Sequence, residues 1–263
     1  MRIASWNVNS LKVRLPQVLD WLDHAQPDVL ALQETKLADE QFPQAAFEER
    51  GWHVLCNGQK TYNGVALVTR HATSAVTTEL PGRPDPQRRV LAADIAGVRV
   101  YNLYVPNGSA VGSEKYRYKL DWLERLHGLL ADELVAQPCL AVVGDFNIAP
   151  TDADVYDPVA LAGDIHCSEP ERAALDRLLE LGMSDTFRLF EQPHPAYSWW
   201  DYRANAFRRN LGLRIDLVLA SRALARHCRR SSIDVAPRRN DRPSDHAPLV
   251  AEFTLEGEGD AIS

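Results

Sequence analysis

Apolar runs of strand length recur along this chain, and most of them end on a carboxylate or a carboxamide. Five segments carry the pattern: Trp6-Asn7-Val8-Asn9, Leu32-Gln33-Glu34-Thr35-Lys36, Gly144-Asp145-Phe146-Asn147, Arg214-Ile215-Asp216 and Ser244-Asp245-His246. The last of them precedes its apolar run; the others follow or end theirs. A run that is apolar nearly to its tip belongs inside a sheet. Polar groups at the tips then gather along one sheet edge without being buried in it, which is how open α/β folds usually build sites.

The rest of the chain fits that frame. Arg2–Asn7, 28–32, 64–69, Val90–Ile95, 139–143, 197–200, 213–219 and 247–253 read as strands. Ala96-Gly97 turns Val90–Ile95 back into a partner over 98–105, a hairpin. Leu15, Val18, Leu19 and Leu22 recur at helical spacing before Pro27, residues 118–135 form a long amphipathic helix, and 169–181 form another. Such a mixture means α/β or α+β with layered sheets. One domain over residues 1–255 is expected, with a polar, disordered tail over 256–263.

The 263 residues, 45% hydrophobic and 25% charged, are those of an ordinary soluble enzyme. A formal net charge of -7 argues against a nucleic-acid partner only on average, because a DNA enzyme needs just one positive face. Asn7 and Asn9 interrupt the opening apolar residues, against a signal peptide, and no run approaches membrane-spanning length, so no membrane is expected. Cys56, Cys139, Cys167 and Cys228 lie at neither zinc nor redox spacing and read as reduced thiols; the cytoplasm is the default compartment.

Taken singly, an Asp or Asn after a strand is usually a turn or a helix cap. Together the five segments supply one Glu, three Asp, three Asn and one His. Oxygen-rich sites of that kind suit a hard cation such as Mg²⁺ and not zinc.

Five ordered segments resemble those of the exonuclease III family within the DNase I-like phosphoesterase superfamily. They are Asp28 to Lys36, Tyr104-Val105-Pro106-Asn107-Gly108, Gly144-Asp145-Phe146-Asn147, Leu211 to Asp216, and Pro243 to Pro248. The resemblance implies a four-layer α/β sandwich, two mixed β-sheets packed face to face and flanked by helices. It implies Glu34 as the principal Mg²⁺ ligand, with Mn²⁺ as a substitute and with Asn7 and Asp245 in or near the metal shell. Asp145 would take a proton from, or orient, the attacking water, and Asn147 would hold that water or a phosphate oxygen. His246, oriented by Asp216, would donate to the scissile phosphate with Tyr104 beside it; whether Asp145 or a deprotonated Tyr104 takes the proton stays open. Asn107 and Trp199 would contact DNA. The pattern implies a nuclease acting on duplex DNA with abasic sites or with damaged or recessed 3′ ends, expected as a monomer.

Substrate class needs more, because the superfamily also holds phosphatases of inositol phosphates and lipid headgroups. Three features favour DNA over those, while a catalytically silent DNA-binding relative would be expected to have lost one of Glu34, Asp145, Asp216 or His246, and all four are present. Residues 202–243 carry eleven arginines, Arg203 to Arg242, suited to backbone phosphates. Ser198-Trp199-Trp200-Asp201-Tyr202-Arg203 resembles the family stretch whose aromatic residues wall the pocket for a flipped sugar, with Leu213 on the same wall. Gln87 to Val90 and Asn57 to Lys60 resemble its backbone-contacting loops. Finally, Asp164 to Glu169 resembles the loop beside the abasic-sugar pocket, where many abasic endonucleases carry Gly or Ala about where His166 falls. Either His166 reaches the pocket and biases the enzyme towards 3′ ends, or it is an exposed loop histidine.

Overall fold

The structure, a computed structural model, describes residues 1–255; the disordered tail expected at 256–263 lies outside the described residues. The chain is organised by two β-α-β crossovers. Strand β1 (Arg2–Asn7) runs through helix α1 (Leu11–Ala25) into β2 (Val29–Gln33), parallel to β1, with Asn7 opposite Gln33. Helix α2 (Gln44–Glu48), β3 (His53–Asn57) and β4 (Val65–Thr69) follow, both strands pairing antiparallel. Strand β5 (Thr73–Thr77) leads to β6 (Val90–Ile95) and β7 (Val98–Tyr104). Between these last two, Ala96 and Gly97 take φ of 48° and 81°, the left-handed pair a tight hairpin requires.

The second crossover uses α3 (Glu114–Ala136) to place β8 (Leu140–Asp145) parallel to β7. Then come α4 (Glu169–Glu180), β9 (Met183–Asp185), the short antiparallel pair β10 (Trp199–Trp200) and β11 (Gly212–Leu213) enclosing α5 (Ala206–Arg209), and β12 (Asp216–Ser221). Helix α6 (Arg222–Ala225), β13 (Cys228–Ile233) and β14 (Leu249–Phe253) complete the set. The two six-stranded sheets have orders β13-β14-β1-β2-β4-β3 and β5-β6-β7-β8-β12-β9.

Strand alternation sorts the core into layers. Ile3, Ala31, Val143 and Val218 face the space between the sheets. On the next residues, Ala4, Trp6, Leu30 and Leu32 face outward against Leu11, Val18 and Leu22 of α1. Val142, Leu217 and Leu219 face outward against Leu123 and Leu126 of α3 and Leu175 of α4. The result is the four-layer α/β sandwich that the resemblance implied.

Register brings the polar tips together. Tyr104 lies opposite Asp145, and Asp145 opposite Asp216, while in the other sheet the parallel pair ends on Asn7 and Gln33, with Glu34 the next residue. Gly144 is required just before that edge: a Cβ there would lie 1.9 Å from the Leu103 carbonyl oxygen.

Three expectations need correction. β3, β5, β9 and β13 have no counterpart among the strands read from sequence; the edge strands β5 and β13 are largely polar or exposed and give no apolar run. The single strand expected over 213–219 is broken at Arg214-Ile215. There the Ser198 hydroxyl accepts the main-chain N–H of both Ile215 and Asp216, at 3.1 Å each, and the chain changes sheets. The arginine segment is not one DNA face. Arg214 is fully buried against Asp154 and Asp185, and Arg238 is buried over the rings of Trp200 and Phe207.

The Arg214 network yields a stability prediction. Asp154 accepts from Arg214 at 2.6 Å and from Arg188, and its other oxygen accepts from Thr151. Asp154→Ala leaves Arg214 buried with half its partners, so thermal or urea unfolding should register a loss of about 3 kcal/mol or more. A loss below about 1 kcal/mol would contradict the structural role given to this pair.

Candidate active site

Asn7 sits at the centre of the cluster. Its Nδ2 donates to Glu34 Oε1 and to Asp145 Oδ2, each at 2.9 Å, and so ties the two sheets at their shared edge. Glu34 Oε1 also accepts from the Tyr104 hydroxyl at 2.8 Å, and Oε2 lies 2.9 Å from Lys36 Nζ. Burial alone would raise the Glu34 carboxyl; Lys36 and Asn7 outweigh it and hold the group below its ordinary value, charged. Glu34 and Asn147 both take φ of 52°, a left-handed backbone costly for residues with side chains and typical of functional sites.

Asp145 accepts from the Asn147 main-chain N–H at 2.9 Å and from Asn147 Nδ2 at 3.2 Å. Burial pushes its carboxyl up to about 7, with Asp216 and Glu34 adding to the rise and His246 opposing it. A carboxylate of that basicity is suited to taking a proton from water near neutrality. His246 Nδ1 donates to Asp216 Oδ2 at 2.9 Å, leaving Nε2 facing Asp145 Oδ2 at 3.8 Å. Burial works to lower the imidazole, yet Asp216 and Asp145 hold it at about 10, so it is a cation at neutral pH. Tyr104 goes the other way: burial, then Glu34 and Asp145, raise its phenol well above the ordinary value, and it stays protonated. Of the two candidates for the base, the geometry and charge favour Asp145.

Asp145, Asp216 and His246 present ligand atoms within 4.8 Å of one another. They make a poor metal site, because Asp216 is committed to His246 and a protonated imidazole does not ligate. Glu34 and Asp145 offer carboxylate oxygens that suit a divalent cation, with the Lys36 ammonium beside the outer Glu34 oxygen, whereas Asn7 turns its Nδ2 to both carboxylates and its Oδ1 to the Asn9 main-chain N–H. Asp245 stands further round the edge. Its Oδ1 accepts from Asn9 Nδ2 and its Oδ2 from Trp199 Nε1, both at 3.0 Å, and Asn9 and Lys36 lie between it and Glu34.

Beside this edge opens a cleft of about 1020 Å³ lined by Asn107, His166, Trp199, Arg203 and Leu213, all five residues expected to meet DNA. Trp199 pairs with His246 as an isolated bridge, so the apolar wall is built onto the catalytic edge. Asn107 Nδ2 donates to Asn147 Oδ1 at 3.1 Å. Arg203 stands at the rim, 88% exposed and paired with Asp201. His166 is not the exposed loop histidine of the alternative reading: it is 9% exposed, and its ring centroid lies 6.4 Å from that of Trp199.

Lys119 and Glu171 were missed. They are a fully buried ion pair behind Asn147 and His166. Two signals pointed to them: Ser168-x-x-Glu171 is a capping box before an apolar run, and Lys119 falls on the apolar stripe of α3 between Tyr116 and Leu123.

The chain matches the model of the endonuclease/exonuclease/phosphatase family over residues 4–246. It is 36% identical to exodeoxyribonuclease III of Haemophilus influenzae in an alignment covering 96% of this chain and 100% of that relative. The 3′ phosphatase NExo from Neisseria, solved with a product DNA hairpin, is 49% identical with a TM-score of 0.94, over 97% of this chain and 100% of that one. An AP endonuclease from Archaeoglobus fulgidus is 40% identical with a TM-score of 0.93, over the same shares of the two chains, 97% and 100%. The chain therefore belongs to the endonuclease/exonuclease/phosphatase family and is a nuclease of its exonuclease III and abasic-endonuclease branch.

Proposed function

We propose that this protein is a Mg²⁺-dependent DNA repair nuclease that works on damaged, phosphorylated or recessed 3′ ends of duplex DNA in preference to internal abasic sites. The observation that carries the preference is the place of His166, fixed in the cleft between Asn107 and Trp199. An internal abasic sugar belongs to a continuous strand and must be flipped past that ring. A frayed 3′ terminus enters from its free end and avoids most of the unstacking cost. The likeness to a 3′ phosphatase supports the same reading.

In the proposed hydrolysis, Asp145 accepts the proton of the attacking water, and Asn147 holds that water on line through its carboxamide and its link to Asp145. The His246 imidazolium, held by Asp216, donates to a non-bridging phosphate oxygen as charge develops. Glu34 would hold Mg²⁺, with Asn7 able to join it once its carboxamide turns its oxygen inward, and the bound ion would supply charge neutralisation at the phosphate and at the leaving alkoxide. Trp199 and Leu213, which both line the cleft, would form the apolar wall against the deoxyribose.

His166→Gly tests the preference. Incision of an internal abasic site should rise about tenfold relative to removal of a 3′-phosphate, both measured as kcat/KM on matched duplexes. An unchanged ratio would remove His166 from substrate choice.

A further inference from the structure

Behind His166 lies a pair of buried charges that the hydrolytic scheme does not use. Lys119 of α3 and Glu171 of α4 form an ion pair in which both side chains are fully buried. Lys119 Nζ also donates to the main-chain carbonyls of Asn147, at 2.7 Å, and Asn107, at 3.2 Å. With Glu171, that accounts for all three N–H bonds of an ammonium. Glu171 in turn accepts the main-chain N–H of His166 and of Ser168, each at 3.2 Å, and the Ser168 hydroxyl at 2.5 Å.

These contacts converge on three backbone segments that each carry a group of the site. Asn107 leaves β7, Asn147 leaves β8, and the loop to α4 carries His166. The His166 backbone has φ of 72°, which a residue with a side chain keeps only when its surroundings hold it there. Its ring is held as well. Nδ1 lies 2.6 Å from the Asn147 carbonyl, which can only accept, so the proton sits on Nδ1 and Nε2 is left to face Asn107 Nδ2 at 3.4 Å. The same Asn147 carbonyl therefore receives both the imidazole and the Lys119 ammonium.

We infer that the Lys119–Glu171 pair is the positioning device of the specificity loop, fixing the His166 ring across the cleft and tying its place to Asn147 and Asn107. An apolar pair of similar volume would fill the space and often be no less stable, but it could not anchor two carbonyls and two N–H groups at one point. The inference rests on the proposed reading of His166 for its effect on substrate choice. Burial, then the neighbouring Lys119, pushes the His166 imidazole down to about 4, which keeps it neutral and compatible with the ammonium. Neither Lys119 nor Glu171 lines the cleft, so each acts through the residues it holds.

The test is Glu171→Gln, made in the wild-type and in the His166→Gly background, with circular dichroism to confirm folding. Two quantities are read: the ¹⁵N imidazole resonances of His166, and the ratio of internal abasic incision to 3′-phosphate removal. Wild-type His166 should show one fixed Nδ1–H tautomer, and Glu171→Gln should move its ring nitrogens towards tautomer averaging. The activity ratio should rise several-fold, up to about tenfold, in the wild-type background, and by less than about twofold where His166 is already Gly. Unchanged His166 resonances would overturn the inference, as would an equal change of ratio in both backgrounds, which is what a general structural role predicts. If His166→Gly leaves the ratio unchanged while Glu171→Gln still moves the resonances, the positioning stands and the substrate reading falls. Should Glu171→Gln fail to fold, Ser168→Ala removes one strap from Glu171 and is read the same way.

Discussion

Asp145→Asn is expected to lower kcat on duplex DNA by about 10²–10⁴-fold while leaving KM nearly unchanged. The carboxylate is surrounded by donors, with Asn7 Nδ2 and both N–H groups of Asn147 directed at it. An amide can meet only some of them, and it cannot take a proton from water. Nothing in the cleft wall changes, so binding should persist. His246→Asn should produce a similar loss for a different reason, removal of a cation that opposes charge building on the phosphate. Single-turnover kinetics separate the chemical step from product release. A loss confined to KM in either variant would make these residues substrate binders and not participants in the transition state.

Glu34→Gln is expected to abolish most turnover with the fold and DNA affinity intact. Glu34 is held in its charged form, with Asn7 and Tyr104 donating to one oxygen and Lys36 beside the other. A neutral amide is a far poorer Mg²⁺ ligand, so calorimetric titration should show metal affinity falling by at least about tenfold to a hundredfold. Unchanged affinity would move the metal elsewhere on the edge.

What the sequence made legible was the part of the site that strands end on. Asn7, Glu34, Asp145 and Asp216 are marked by their place after or at the end of an apolar run, Tyr104 by the family segment it begins, and strand register then brings them to one edge. His246 is placed by a backbone bridge to Trp199, a contact that no local pattern encodes. The arginines illustrate the opposite failure. Composition counts Arg214 with Arg203, yet one is fully buried in an ion-pair network and the other is a rim residue paired with Asp201. Charge alone does not say which side of a strand a guanidinium leaves from. Lys119 and Glu171 escaped because each was absorbed into a helix pattern, where one reads as an interruption of the apolar stripe and the other as an ordinary capping residue. The four layers were implied by the resemblance: β8 and β12 are buried on both faces, so their sequences mark interior strands without showing which face meets the other sheet and which the outer helices.

The proposed preference of this nuclease is for a 3′ terminus over an internal abasic site. It is tested most directly by measuring kcat/KM side by side, with Mg²⁺, on three duplexes of common sequence: one with an internal abasic site, one with a recessed 3′ end and one with a 3′-phosphate at a nick. The 3′-phosphate and recessed ends should be processed faster than the internal abasic site by about tenfold or more. Fastest turnover on the internal abasic site, or phosphate release from an inositol phosphate without cleavage of any of the three duplexes, would contradict it.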